Sequence, residues 1–266
     1  MSFDRRTLLR SFGLGAAALA SPGLLRTASA QVPRAGHYTY AGPGSVNTYW
    51  VETPNGVVVI DVQRDLTHAR EALTAVRAIG KPVRAVLVTH GHPDHYAGLG
   101  LFKAAWPGAR LLSSRTTYET IRADHYGFNK LAAQLAPGDF PDPVVLPDAT
   151  FADDETLVID GVEIVSRELG QAEANSATVF YVPATGDLYA GDLVLNRMHG
   201  FFYEERSLAM LTALDRLDSL FPRARTLHPG HGAPGPRAEL LAGQRDYIAR
   251  ARGFGSAASP CSTASS

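Results

Sequence analysis

One stretch limits the folds open to this chain more than any other: Thr89-His90-Gly91-His92-Pro93-Asp94-His95-Tyr96-Ala97-Gly98, which sets three imidazoles and a carboxylate within six residues. The run before it, Pro82 to Thr89, is β-branched and apolar and reads as a buried strand, closed on its far side by Gly91 and Pro93. The candidate ligands therefore lie on a strand end and the loop that follows. His90 and His92 are two residues apart, so in an extended segment both rings point the same way and can share one ion. A turn at Pro93 sends Asp94 and His95 in a second direction, so one loop can serve two metals. Solvated loop histidines are the alternative, but chance seldom sets such a pattern directly after an apolar strand.

The rest of the chain reads as alternating strands and helices. Ser45 to Thr53 and Val57 to Val62 form a hairpin around an Asn55-Gly56 turn signal. Asp61, at the end of its second strand, either supports the His-rich loop from outside the metal or caps the next helix. Thr67 to Gly80 has helical spacing at Ala69, Leu73, Val76 and Ile79. A helix follows from Tyr96 to Trp106, then a strand from Ala109 to Ser113 and a long helical stretch from Thr116 to Leu135. His125 and Tyr126 in that stretch have no second ligand at metal spacing and read as helix surface or pocket rim. Glu155 to Ile159 and Val162 to Arg167 make a second hairpin about Asp160-Gly161. A helix from Ser207 to Phe221 carries Leu208, Leu211, Leu214 and Leu217 as a core-packing stripe.

The pattern from His90 to His95, HxHxDH, resembles the signature of the metallo-β-lactamase fold superfamily. The resemblance implies an α/β fold, a four-layer αββα sandwich, and the repeated strand-then-helix order of the two halves agrees with it. It also implies that His90 and His92 help hold one metal while Asp94 and His95 help hold a second. Further motifs follow in family order over most of the chain. Leu188-Tyr189-Ala190-Gly191-Asp192-Leu193 ends in the position of a carboxylate bridging both metals, and Pro229-Gly230-His231-Gly232 puts His231 at the last ligand position. His228 falls before that position and is assigned to an outer or surface place. Asp61 matches the family position that supports the metal loop.

One position departs from the family. Glu168-Leu169-Gly170-Gln171-Ala172-Glu173 aligns with a segment whose last residue is usually the third His of metal one, and here that residue is Glu173, nineteen residues before Asp192. A carboxylate binds zinc at a distance similar to imidazole, but it adds negative charge, favours harder ions and makes a bound water less acidic. With two divalent ions, the three carboxylates Asp94, Glu173 and Asp192 and a bridging hydroxide leave no net charge, whereas a His would leave one positive charge. Glu173 acts either as that ligand or as a nearby ion-paired group or base.

The implied activity is metal-dependent hydrolysis, with two zinc ions expected and iron or manganese open, in which a metal-bound hydroxide attacks a β-lactam, lactone, thioester or related substrate and Asp94 or Glu173 handles the proton. His199, Phe201, Phe202 and Tyr203, between the Asp192 strand and the next helix, are assigned to the substrate pocket, with a purely packed loop as the alternative. Two rivals remain: a mononuclear-iron enzyme that oxygenates persulfides, and a binding protein that has lost its chemistry at position 173.

Asp4-Arg5-Arg6-Thr7-Leu8-Leu9-Arg10, the apolar run from Phe12 to Leu25 and Ala28-Ser29-Ala30 read as a twin-arginine leader over 1–30, giving export to the periplasm or medium and no stable membrane anchor. The remaining 236 residues divide into a hydrolase domain over 31–253 and a flexible Ser/Ala-rich tail over 254–266. The one cysteine, Cys261, can form no intrachain disulfide. Twenty-five Lys and Arg against 26 Asp and Glu leave none of the basic excess that nucleic-acid binding needs, so a small-molecule substrate is the expected partner.

Overall fold

The computed structural model describes residues 32–257 except Pro43; the leader expected over 1–30, and residues 258–266 of the expected tail, lie outside the described residues. Two sheets of six strands are formed. The first runs in chain order through β1 (Ala35–Thr39), β2 (Asn47–Glu52), β3 (Val57–Ile60), β4 (Val83–Leu87), β5 (Arg110–Ser114) and β6 (Ala149–Phe151). The second is β7 (Asp154–Ile159), β8 (Val162–Glu168), β9 (Thr178–Val182), β10 (Asp187–Leu195), β11 (Thr226–His231) and β12 (Gly235–Pro236), again with sequential neighbours.

Strand periodicity explains the layering. Val58 and Ile60 of β3 point between the sheets, where they meet Ile164, Phe180 and Val182, while Val57 and Val59 point outward to the helices. Such strands are apolar on both faces and read as continuous hydrophobic runs. The outer face of the first sheet is covered by α1 (Leu66–Arg77), α2 (Pro93–Tyr96), α3 (Leu99–Ala105) and α4 (Arg115–Ala123), through Leu73, Tyr96, Phe102 and Ile121 among others. That of the second is covered by α6 (Ser207–Leu220) and α7 (Arg237–Ala257), through Met210, Leu214, Leu217, Leu241 and Ile248. The result is an αββα sandwich. The pairs β3–β4 and β10–β11 are both parallel, so their carboxyl ends open on one edge, the usual place for a site in such sheets.

The structure departs from the sequence reading at five points. The long helix over 116–135 is two helices, α4 and α5 (Phe128–Leu135), because Asp124 and Gly127 both adopt left-handed backbone, at φ 43° and 69°. The helix from Tyr96 to Trp106 is likewise interrupted: Gly98 lies so close to the Val62 carbonyl that a Cβ would sit 2.3 Å from it. In α6 the buried face is Met210, Ala213, Leu214 and Leu217, and Leu208 is 62% exposed. Leu208 and Leu217 are nine residues apart, which at 3.6 residues per turn puts them on opposite sides, about 180° apart. Finally, β1 is an edge strand with no counterpart in the sequence reading. Helix α7 runs to Ala257, four residues into the segment expected as a tail.

Candidate metal centre

The edge where β3, β4, β10 and β11 end gathers all seven candidate ligands. His90 lies in the bend that follows β4, His92 is extended, and Pro93 starts the single turn of α2 that carries Asp94 and His95. Asp192 sits in β10 just past Gly191, and His231 ends β11. Gly191 adopts φ 52° with the Thr89 side chain against it, and a Cβ on Gly230 would lie 1.8 Å from Asp192 Oδ1. These two glycines let β10 and β11 approach the loop closely enough to present Asp192. The Thr178 amide donates to the Thr89 carbonyl at 2.9 Å, fastening the second sheet to the same loop.

Two clusters result. His90, His92 and Glu173 are buried together, with Glu173 Oε2 2.9 Å from His92 Nδ1 and 3.8 Å from His90 Nε2. Asp94, His95 and His231 form the second, with His231 Nε2 3.3 Å and His95 Nε2 3.7 Å from Asp94 Oδ2. Asp192 joins them, Oδ1 lying 3.3 Å from His95 Nε2 and Oδ2 3.1 Å from His231 Nε2. The rings of His90 and His95 are 4.1 Å apart between centroids.

Several atoms of the cluster lack an aligned partner. His90 Nε2, His95 Nε2, Asp192 Oδ1 and both Glu173 oxygens are buried and have no aligned hydrogen-bond partner among the described residues. Buried polar atoms are ordinarily satisfied, so such a concentration fits cation ligands. Meanwhile the other nitrogen of every imidazole is held. His92 Nε2 faces Glu204 Oε1 at 3.1 Å, His95 Nδ1 faces Asp61 Oδ2 at 2.8 Å, and His231 Nδ1 faces the Ser45 carbonyl. His90 Nδ1 lies 3.0 Å from Thr89 Oγ1, whose own proton goes to Asp61 at 2.8 Å, so the hydroxyl accepts from His90. Outer partners of this kind fix the tautomer and aim the remaining lone pair inward.

Asp61 therefore supports the loop. It accepts from the Thr89 amide, the Thr89 hydroxyl and His95, while the cap of α1 is Asp65. Glu204 and Ser45 escaped the sequence reading. Glu204 stands one residue past the stretch chosen for its aromatics, and neither its burial nor its ion pair with Arg206, at 2.8 Å, has a sequence signal.

The crowding of buried carboxylates and imidazoles shifts the titration of each candidate ligand. Burial disfavours the imidazoliums of His92 and His231, but Glu173 and Glu204 hold the first at about 10, and Asp192 and Asp94 hold the second at about 11. His95 is likewise raised, against burial, by Asp192, Asp94 and Asp61. Burial and the neighbouring His95 push His90 well below its usual value. Burial lifts Glu173 to about 7 against the pull of His92. Burial would also raise Asp192 and Asp94, yet the imidazoliums His231 and His95 keep both well below the ordinary carboxylate range.

A cavity of about 350 Å³ opens on the cluster, lined by His92, Asp94, Glu173, Asp192 and His231 at one end. Of the residues expected in a substrate pocket, His199 and Phe201 line it. Tyr203 stacks on Phe201 at the rim and is 63% exposed, and Phe202 turns to stack on Tyr247. His125 is exposed in the α4–α5 turn, and Tyr126 stacks on Phe128 at the rim. His228 is held by Asp187 and stacks on Tyr189 away from the cluster.

Solved structures share this fold. A metallo-beta-lactamase from Pontibacter korlensis superposes with a TM-score of 0.64 at 24% identity, over 82% of this chain and 94% of that one. Among curated proteins, the type 2 metallo-beta-lactamase of Bacteroides fragilis is 22% identical over 207 residues, which is 73% of this chain and 75% of that protein. The linear primary-alkylsulfatase of Pseudomonas sp. (strain ATCC 19151) is 36% identical over 53 residues, 20% of this chain but only 10% of the sulfatase. A family model described as the metallo-beta-lactamase superfamily matches residues 41–240, the span that holds both sheets' ligand strands, and the chain belongs to that superfamily.

Proposed function

We propose that this protein is a hydrolase that uses two divalent cations, zinc first among them, to cleave a carbonyl-type substrate such as a β-lactam, lactone or thioester. The observation that carries the reading is the set of buried ligand atoms without an aligned partner at His90, His95, Glu173 and Asp192, each imidazole fixed from behind. His90, His92 and Glu173 would hold one cation, and Asp94, His95 and His231 the other, with Asp192 between. When bound, such cations supply a Lewis acid and an acidified water.

The residues around them divide the remaining work. Asp94 is the most exposed of the carboxylates and lines the cavity, so its free oxygen is placed to receive a proton from the attacking side and to return it to a leaving group. Glu173 lines the same cavity from the opposite cluster, and its raised carboxyl makes it a second proton carrier if it is not a ligand. Phe128 and Phe201 meet edge to face, and each ring also stands edge-on to His92 at the cavity. Export through a twin-arginine leader belongs to the same proposal.

Metal content of protein purified without added zinc, followed by a panel of chromogenic lactam, lactone and thioester substrates, tests the reading. Two zinc equivalents, with hydrolysis lost to a chelator and restored by the metal, support it. Hydrolysis unabated in the stripped protein, or a single iron with oxygen uptake on a persulfide, overturns it.

A further inference from the structure

Helix α5 has the composition of a buried helix and the position of a wall. Its residues Phe128, Leu131, Ala132, Leu135 and Ala136 with its cap recur at i, i+3, i+4, i+7 and i+8, the spacing of one helical face. An amphipathic helix normally spends that face on the core. Here none of the helix's residues is buried, and all five line the cavity instead. The helix is anchored at its polar side, where Asn129 accepts from Tyr96 at 2.6 Å.

Leu195 and Met198 line the same cavity, and Phe201 meets Phe128 of the stripe edge to face. The exposed large apolar side chains Tyr126, Leu131, Leu135, Phe201 and Tyr203 gather around this opening. The cavity is therefore amphipathic along its length: carboxylates and imidazoles at one end, hydrocarbon along the sides. Leu135, at the outer end of the stripe, is 71% exposed. Exposed apolar area of this kind around a concave site marks a binding surface.

We infer that the substrate carries a hydrocarbon tail, which lies along the α5 stripe beside Met198 while its polar head reaches the carboxylate and imidazole end. Continuity of the stripe with the ligand cluster selects a substrate tail over a separate partner. The inference rests on the proposed hydrolase reading only for which end of the molecule reacts.

The test uses the full chain with its metals and straight-chain carboxylates from butanoate to decanoate, each below its micelle concentration, with binding measured by calorimetry. Burial of a methylene strengthens binding about fourfold, so a tail that is mostly covered gives decanoate at least a roughly 50-fold lower Kd than butanoate. Leu131→Asp and Leu135→Asp, at exposed positions that tolerate a charge in the fold, should reduce that ratio to about fivefold or less. Leu208→Asp, equally exposed but on α6, should leave it intact. A ratio near one in the native chain, or one that survives both α5 variants, overturns the inference. So does sedimentation with phosphatidylcholine vesicles that the α5 variants abolish while the ratio stays, since the stripe would then be a membrane seat. A steep chain-length dependence without any hydrolysis would sink the hydrolase reading and leave the tail; hydrolysis indifferent to chain length would do the reverse.

Discussion

Glu204 Oε1 lies 3.1 Å from His92 Nε2, on the side of the ring turned away from Glu173. Neutral His92 must carry its proton on one nitrogen, and Glu204 holds it on Nε2, leaving Nδ1 bare towards the cluster. Arg206 pins the other Glu204 oxygen at 2.8 Å. Loss of such an outer partner typically costs 10- to 100-fold in metal affinity. On the proposed two-cation reading, Glu204→Ala should therefore weaken one zinc ion by about that factor in a chelator competition, and leave the other nearly unchanged. Glu204→Gln, which keeps an acceptor but not the charge, should fall between. Equal affinities in all three proteins would remove Glu204 from the site.

Glu173 distinguishes this centre from a three-histidine one. Replacing it by His removes a negative charge from a cluster that already contains Asp94 and Asp192, so a water shared between two cations should become more acidic. In Glu173→His the acidic limb of the hydrolysis profile is expected to move to lower pH, with two ions retained. Glu173→Ala should lose one equivalent of zinc on dialysis. A variant that keeps both ions as tightly as the native chain would show that Glu173 stands beside the metals and acts as an ion-paired base.

Much of the site was legible because its ligands are short-range or carried by motifs. His90 to His95 occupy one stretch, Asp192 follows a glycine inside the apolar strand β10, and His231 ends β11 after Pro-Gly. Glu173 was found from its spacing to Asp192 despite the unexpected residue type. What escaped depends on tertiary packing: the buried Glu204 looks like any loop carboxylate, and Ser45 contributes only its carbonyl. The α4–α5 break was hidden for a local reason, since Asp124 tolerates left-handed backbone while its neighbours keep helical spacing. Leu208 shows the limit of counting every third leucine, because the 3.6-residue period carries such a row off the core.

On the proposed reading protons and zinc compete for the same atoms, so the metal-free and metal-loaded proteins should respond oppositely to pH. In the metal-free chain His92 and His231 are raised from 6.5 to about 10 and about 11. Their contribution to stability is then complete below 6.5 and is lost as pH rises towards 10–11. Asp94 and Asp192, held low, contribute above about 3.8 and lose that contribution on further acidification through their folded values. The lowered His90 opposes the other two on the acid side, because it resists the proton that the unfolded chain accepts. Zinc needs these imidazoles deprotonated, so its affinity grows with pH. Thermal melts between pH 6.5 and 9 should show the stripped protein losing stability while the zinc-induced rise in Tm increases. A zinc shift independent of pH across that window would contradict the assigned ligands.

Asp61 is the centre of the loop's support, and its removal should be felt in both stability and metal content. It is 2% exposed, sits at φ 56°, and takes three hydrogen bonds: the Thr89 amide at 2.9 Å, the Thr89 hydroxyl at 2.8 Å and His95 Nδ1 at 2.8 Å. Ala at this position strands three buried donors, each costing about 1–3 kcal/mol when unpaired, so the loss should be at least about 3 kcal/mol. In a domain of this size that lowers Tm by roughly 6–12 °C. Asn can accept with one atom only and turns an amide proton towards another donor, so Asp61→Asn should be milder but still destabilising. Because the Thr89 hydroxyl then no longer orients His90, and His95 loses its anchor, both variants should also bind zinc more weakly than the native chain. Calorimetric melting and zinc titration of the two variants check this, and an Asp61→Ala protein that melts within about 2 °C of the native chain with both ions in place would refute it.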